Sequence, residues 1–362
     1  MMKSICKLTL FLLLVPSIVF ANGDGTKKKH EQSKSINKTF DVKSNATLEI
    51  YNKYGNLGVT TWDKNTIQID IKITVKGNDL DDVEDRLEKI KVEFENSSSL
   101  VTARTMIGNN SNSWKFWKKS KNISYKIDYT IKMPVTNNAK LNNNYGGISL
   151  DELEGTADIS CDYGKITIGD LKGNNSSISL DYCSSSTIDS MKDGDVSIDY
   201  SKLTIDSATD LDLSTDYSTA RIKKANDISF SADYGGVEIE EAATVNGSGD
   251  YTGLKFGTIT KKLKISSDYG SIRVKNLANG FESVYINSEY AGVKIGIEPG
   301  TNFKFYIDLQ YAGFKRSKDN VEMYKSIVKN SKKYYEGVYG KGNPDATVTI
   351  KSEYGSVTFQ EN

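Results

Sequence analysis

Ser-Cys-Asp-Tyr-Gly-Lys-Ile-Thr-Ile, residues 160–168, is one copy of a motif that recurs through most of the chain. Aligned on the tyrosine, the other copies are NNNYGGISL (142–150), SLDYCSSST (179–187), SIDYSKLTI (197–205), STDYSTARI (214–222), SADYGGVEI (231–239), SGDYTGLKF (248–256), SSDYGSIRV (266–274), NSEYAGVKI (287–295), DLQYAGFKR (308–316) and KSEYGSVTF (351–359). Their tyrosines are Tyr145, Tyr163, Tyr182, Tyr200, Tyr217, Tyr234, Tyr251, Tyr269, Tyr290, Tyr311 and Tyr354. Spacing is 17–21 residues up to Tyr311, and the last gap of 43 holds two periods and an insertion. A twelfth copy, NKYGNLGVT around Tyr54, stands apart. A period of this length is the signature of stacked repeats.

The phase inside a repeat is equally regular. Four residues before the tyrosine stand Ile159, Ile178, Val196, Leu213, Phe230, Ile265, Ile286, Ile307 and Ile350; three after it stand Ile148, Ile166, Leu203, Ala220, Val237, Leu254, Ile272, Val293, Phe314 and Val357. Alternation of this kind marks strands with one buried face. Because the parity changes across the tyrosine, the chain bends there, and the next residue is always small, as a corner demands. Each repeat reads as strand, corner, strand, return loop. One such unit cannot bury its own apolar side, whereas stacked units can.

The expected fold is therefore all-β: a single-stranded β-solenoid of about 11–13 rungs with 17–21-residue repeats. At about 4.8 Å per rung, eleven rungs make a rod on the order of 50 Å long. The tyrosines share the inward phase, which predicts a ladder of stacked rings at an inner corner; the competing reading, repeated surface tyrosines, fits the parity less well. The residue before each tyrosine forms a second ladder, from Asp162, Asp181, Asp199, Asp216, Asp233, Asp250 and Asp268 to Glu289, Gln310 and Glu353. Aspartate suits turns by itself, and the glycine-rich calcium nonapeptides of cation-binding solenoids are absent. The reading assigns no metal and no cofactor.

The organisation read from the chain starts with a signal peptide at 1–21 and a flexible polar leader at 22–35. A cap region at 36–140 holds the Tyr54 copy and one helix, at about 79–91. The repeats occupy 141–314, and 315–362 carries an insertion and the last rungs. The signal is a basic start, an apolar run from Leu8 to Phe20 and a cut after Ala21. A run of 13 residues that includes Pro16 falls short of a membrane span, and with no second long apolar stretch the reading expects no transmembrane segment after cleavage. In the cap, Ile67, Ile69, Ile71, Ile73 and Val75 alternate as a strand. Leu80, Val83, Leu87 and Ile90 line one side of the helix. Val92 to Ile107 reads as one strand, and Ile123 to Met133 alternates again.

Composition excludes several classes. One histidine in 362 residues leaves no multi-histidine centre, and 47 basic against 47 acidic residues argue against a broadly basic nucleic-acid binder. Locally the balance breaks: residues 141–300 carry 25 acidic and 14 basic side chains, while 104–140 carry eight basic and one acidic. That basic stretch holds the candidate ligand contacts Trp114, Phe116, Trp117, Lys118 and Lys119, suited to an anionic glycan, lipid head groups or a protein. The competing reading is a long hairpin tip whose tryptophans pack back on the cap. Cys161 and Cys183 fall on neighbouring rungs three positions out of register, which favours two free or buried thiols; a disulfide, open to an exported protein, is the alternative.

The opening LEIYNKYGNLGVTTWDKNTIQIDIKITVKG and the DYG-type copies resemble the adhesin-like, domain-of-unknown-function class of β-strand-repeat proteins of bacterial envelopes. The resemblance covers Ser35 to Asn362. It implies a β-helical fold, export to the periplasm, outer membrane or cell surface, and an adhesive role. It supplies no catalytic residues. Cys183 and Ser201 stand where the corner glycine is usual. The reading that follows is a non-enzymatic envelope protein presenting an extended surface to a glycan or an envelope protein. The alternatives are a carbohydrate-active β-helix, lectin or polysaccharide-degrading enzyme, and an envelope-stress or regulatory interaction protein.

Overall fold

The computed structural model describes residues 28–108, 122–316 and 320–362. Among them the chain is all-β with one helix. It divides into two compact units, one ending at Gly155 and the other spanning Thr156–Asn362. The cut after Ala21 and the cluster from Trp114 to Lys119 lie outside the described residues.

The first unit runs β1 (His30–Asp41), β2 (Thr47–Lys53), β3 (Leu57–Trp62), β4 (Thr66–Gly77), α1 (Leu80–Lys89), β5 (Ile90–Asn96), β6 (Leu100–Ile107), β7 (Ser124–Pro134), β8 (Asn138–Asn144) and β9 (Ile148–Leu153). β4 lies between β1 and β7, antiparallel to both, and buries Ile67, Ile69, Ile71, Ile73 and Val75. Each such side chain contributes about 1.5–3 kcal/mol relative to exposure. The tyrosine-corner strands pair differently: β2 is parallel to both β6 and β8, and β3 is parallel to both β7 and β9.

Helix α1 starts where Asp79 accepts a hydrogen bond from the Asp82 amide (3.1 Å), leaving Asp81 and Asp82 in the first turn. Val83 is its buried contact, and a Cβ on Gly77 would lie 2.8 Å from the Val83 side chain. At the other end, Lys34 Nζ donates to the carbonyls of Leu87 (2.6 Å) and Ile90 (2.7 Å). A cation there complements the helix dipole; burial holds its pKa below the ordinary lysine value.

Two expectations change in this unit. Residues 30–35 are not a flexible leader but the start of β1, paired with β4 from His30↔Gly77 to Asp41↔Thr66. A polar, half-exposed strand can sit at a sheet edge because its backbone hydrogen bonds, not its side chains, hold it. Val92 to Ile107 is also two strands, the antiparallel pair β5 and β6. The Ser97 hydroxyl closes the turn by accepting from the amides of Ser99 (3.2 Å) and Leu100 (3.1 Å).

The second unit holds β10 (Ala157–Asp162), β11 (Ile166–Leu171), β12 (Ser176–Asp181), β13 (Ser186–Asp199), β14 (Lys202–Leu277), β15 (Ser283–Ile297), β16 (Phe303–Gln310), β17 (Phe314–Lys315), β18 (Val321–Lys329), β19 (Lys332–Tyr339), β20 (Thr347–Glu353) and β21 (Val357–Glu361). Repeats pair in parallel with their motifs aligned: Ile159↔Ile178, Ile178↔Val196, Val196↔Leu213 and Ile265↔Ile286. Every residue in that row is buried, as are those three after the tyrosine, from Ile166 to Val357, except the half-buried Phe314 and the exposed Ser185.

The repeats do not stack in chain order at the C-terminal end. β20 pairs in parallel with β15 (Ile286↔Ile350) and with β16 (Ile307↔Ile350), so the last rung is inserted between the two before it. The other edge of β16 is taken by β19, antiparallel, which continues into the hairpin with β18. An antiparallel neighbour ends the parallel series and covers an edge that would otherwise be open to pairing.

Candidate functional site

The tyrosines decide what the second unit shows to solvent. All twelve motif tyrosines adopt left-handed backbone, with φ from 43° to 62°. In an L-residue other than glycine this conformation costs about 1–2 kcal/mol. It also moves the parity step onto the tyrosine itself. Around Tyr200, for instance, Val196 and Ile198 point inward, and so do Ser201, Leu203 and Ile205, while the ring between them points out.

The rings are therefore not at an inner corner. They form an external stack: Tyr163, Tyr182, Tyr200, Tyr217, Tyr234, Tyr251, Tyr269, Tyr290, Tyr354 and Tyr311, each 44–59% exposed. Successive centroids lie 4.6–5.1 Å apart with planes within 5°. Tyr354 sits between Tyr290 and Tyr311, as the inserted rung requires. Stacking worth roughly 0.5–1.5 kcal/mol per pair offsets the backbone strain of each corner. In the first unit Tyr145 stacks on Tyr54 at 5.0 Å, and Tyr125 meets the Tyr54 ring edge-on at 5.1 Å.

Behind the rings, the corner leaves amides and carbonyls that no ladder satisfies. Serine and threonine supply the missing partners in the second unit. Ser218 Oγ accepts from the Ser201 amide (2.9 Å) and donates to the carbonyls of Asp216 (2.7 Å) and Ile198 (3.2 Å). Ser201 repeats this toward the Cys183 amide (2.8 Å) and the Asp199 carbonyl (2.6 Å), and Thr252 toward the carbonyls of Asp250 and Ala232. Cys183 holds the same position, its Sγ 3.0 Å from the Cys161 carbonyl and 3.4 Å from that of Asp181. Both cysteines are buried and neither is in a disulfide, and the two side chains hydrogen-bond each other. That hydrogen bond, then burial, holds the Cys161 thiol above its ordinary pKa.

Flanking the rings runs the carboxylate row. Main-chain carbonyls of Asp181, Asp199 and Asp216 accept the amides of Tyr163, Tyr182 and Tyr200 (2.9–3.1 Å), so the aspartates serve the corner through their backbone. Oδ1 of Asp181 and of Asp199 is buried and without a hydrogen-bond partner. Burial, then the neighbouring Asp181, pushes the Asp162 carboxyl above its usual value. Gln310 breaks the row of like charges and donates to Glu353 Oε1 at 2.6 Å. Among the described residues no three His, Cys, Asp or Glu side chains are grouped to hold a metal.

The strand before the tyrosine carries a groove of about 700 Å³, floored by a row of serines that includes Ser179, Ser197, Ser214 and Ser231. Asp195 and Asp212 line it and also line an adjoining cavity of about 600 Å³ with Asp193, Asp210 and Asp227. The strand after the tyrosine is different. Arg221 pairs with Glu240 (2.7 Å), Lys223 with Asp206 (2.7 Å) and Lys224 with Glu241 (3.0 Å), each pair bridging repeats at the surface.

No family model and no curated protein matches the chain. Solved structures do. A candidate cell adhesion protein from Clostridium sporogenes is 10% identical, covering 91% of this chain and 100% of that one, with a TM-score of 0.20. A candidate adhesin from Parabacteroides distasonis is 11% identical over 90% and 97% of the two chains, TM-score 0.31. A candidate lipid binding protein from the same organism is 12% identical over 90% and 96%, TM-score 0.32.

Proposed function

We propose that the chain is an exported, non-enzymatic, adhesin-like β-solenoid that binds through an extended repetitive surface in the bacterial envelope. The observation that carries this is the outward row of ten stacked tyrosines, bordered on one side by carboxylates and a serine-floored groove. Such a surface offers the same polar and aromatic groups at every rung, which suits an elongated partner more than a single small substrate. The ring faces cover one another, so a ligand meets ring edges, hydroxyls and carboxylates.

Charge narrows the partner. Aspartates on the groove disfavour acidic polysaccharide, and they favour a neutral glycan or an envelope protein with a basic patch. This weighs against the carbohydrate-active alternative in its acid-polysaccharide form, while a lectin for neutral glycan remains compatible with the groove. Trp114, Phe116, Trp117, Lys118 and Lys119 are proposed as a second contact. No helix among the described residues is long and apolar enough to cross a membrane.

A glycan array and an envelope-protein binding assay on the full chain, run beside a glycan-turnover assay, test the proposal. Expected is binding without cleavage, weakened at least tenfold in a Tyr217→Ala/Tyr234→Ala/Tyr251→Ala variant or in Trp114→Ala/Trp117→Ala. Glycan cleavage that survives purification would overturn the non-enzymatic reading. Small-angle scattering from a monomer fitting a compact sphere would overturn the solenoid.

A further inference from the structure

The tyrosine corner brings together two sulfurs that the linear register holds apart. Cys161 is aligned with Leu180 in the parallel ladder, and Cys183 lies three residues beyond Leu180. Two of the intervening positions are spent on the turn, because Tyr182 is left-handed and points outward. The residue after the tyrosine consequently faces inward, against the residue two before the tyrosine of the preceding repeat. The hydroxyl ladder shows the same placement elsewhere: Ser201 reaches the Leu180 carbonyl (3.4 Å), Ser218 that of Ile198 (3.2 Å) and Thr252 that of Ala232 (3.1 Å). In those rungs the facing side chains are a hydroxyl and a hydrocarbon. Only at Cys161 and Cys183 does sulfur stand on both sides, and the two thiols hydrogen-bond.

We infer that Cys161 and Cys183 form a built-in cross-link site, closed to a disulfide that staples the first two repeats of the second unit. The oxidant is a thiol–disulfide donor, either a small-molecule disulfide or one carried by an enzyme. One protein thiolate attacks the donor disulfide and releases one donor thiol. The other protein thiolate then attacks the resulting mixed disulfide, releases the second donor thiol and forms the Sγ–Sγ bond. Two protein thiols lose two electrons and two protons in total, and the donor disulfide is reduced to two thiols. Because both cysteines are buried, the bond closes as the chain folds or when the first rungs open. The chemistry needs only the oxidant, so it does not depend on the export reading.

Replacing the second thiol is structurally benign, since Ser201 and Ser218 already perform its corner role as hydroxyls. This supplies the control. The full chain is refolded from urea in glutathione buffers of reducing or oxidising poise, and peptides are mapped by mass spectrometry without reduction. Expected is a peptide joining Cys161 to Cys183 in the oxidised sample. Closing a loop of this separation, 22 residues, should raise its melting temperature by about 5–10 °C over the reduced protein. Cys183→Ser should melt with the reduced wild type in both buffers, and Cys161→Ala should likewise ignore the redox poise. The inference is overturned if both thiols stay open to alkylation after oxidative refolding. It is overturned equally if either pairs with Cys6 or across two chains, or if the cross-linked form melts no higher than the reduced one.

Discussion

The same corner is built in both units, with more than one chemistry behind the ring. In the first unit the residues after Tyr54 and Tyr145 are Gly55 and Gly146, and the polar partners come from two residues before the tyrosine. Asn52 donates to the Ile127 carbonyl (3.0 Å) and to Asn143 Oδ1 (3.2 Å), while Asn143 donates to the carbonyls of Gly55 (2.8 Å) and Gly147 (3.1 Å). In the second unit Ser201, Ser218 and Thr252 supply a hydroxyl from the residue after the tyrosine, whereas at Tyr354 the corner residue is Gly355 and Ser352, two before the tyrosine, donates to its carbonyl (2.7 Å). The left-handed tyrosine is common to both. What it requires is a hydrogen-bonding group inside the bend, and either flank can deliver one.

Breaking the glycine corner should have the largest effect. A Cβ on Gly146 would stand 1.8 Å from the Gly55 carbonyl oxygen, and the obstacle is backbone that cannot swing away. Gly146→Val should cost about 3–4 kcal/mol, read by urea unfolding of the full chain. Asn143→Leu comes next, at about 3 kcal/mol, because it strands two carbonyls and its partner Asn52 in a buried site. The matching change in the second unit, Ser218→Ala, should cost about 1–2 kcal/mol. Equal losses for the last two would mean that the two solutions are energetically interchangeable.

Smaller effects separate the ring from its backbone. Tyr234→Ala loses two stacking contacts yet keeps the left-handed backbone, for a cost of about 1–2 kcal/mol; Tyr234→Gly loses the same contacts but relieves the strain, and should be the milder of the two. The reverse order would show that the corner stores no strain. The smallest effect concerns pH. Asp162 binds its proton more tightly when folded, so its contribution is intact below the unfolded carboxylate range and declines as pH rises through and just above that range. Asp162→Asn should remove this decline and leave the protein slightly more stable at neutral pH, as melting temperatures across pH 3–7 would show.

Much of the second unit was legible in the sequence because parallel repeats place identical positions side by side. The rows from Ile159 to Ile350 and from Ile166 to Val357 are core rows for that reason. The direction of the tyrosines was not legible. A period-two reading carries the inward parity through Tyr200, and only a positive φ breaks it. Chain order likewise predicted Tyr311 between Tyr290 and Tyr354. The inserted β20 reverses this, since its motif fits both neighbours equally well and β19 occupies the far edge of β16. The candidate surface was read in part: its carboxylate row is visible in the sequence, whereas the serine-floored groove emerges only when the rungs are aligned.

By itself the sequence determined the period, the two apolar rows, the small corner residue and the helix that begins after Asn78-Asp79. All of these rest on local pattern, and local pattern survives stacking. Tertiary structure alone decided which way the rings face, which rung neighbours which, and that Cys161 meets Cys183. The first and the last depend on one left-handed residue per repeat; the second depends on β20 pairing with both β15 and β16. The parity step in the hydrophobic pattern marks that the chain bends, but not which residue takes the left-handed dihedral, and that choice sets the direction of the side chains beside it.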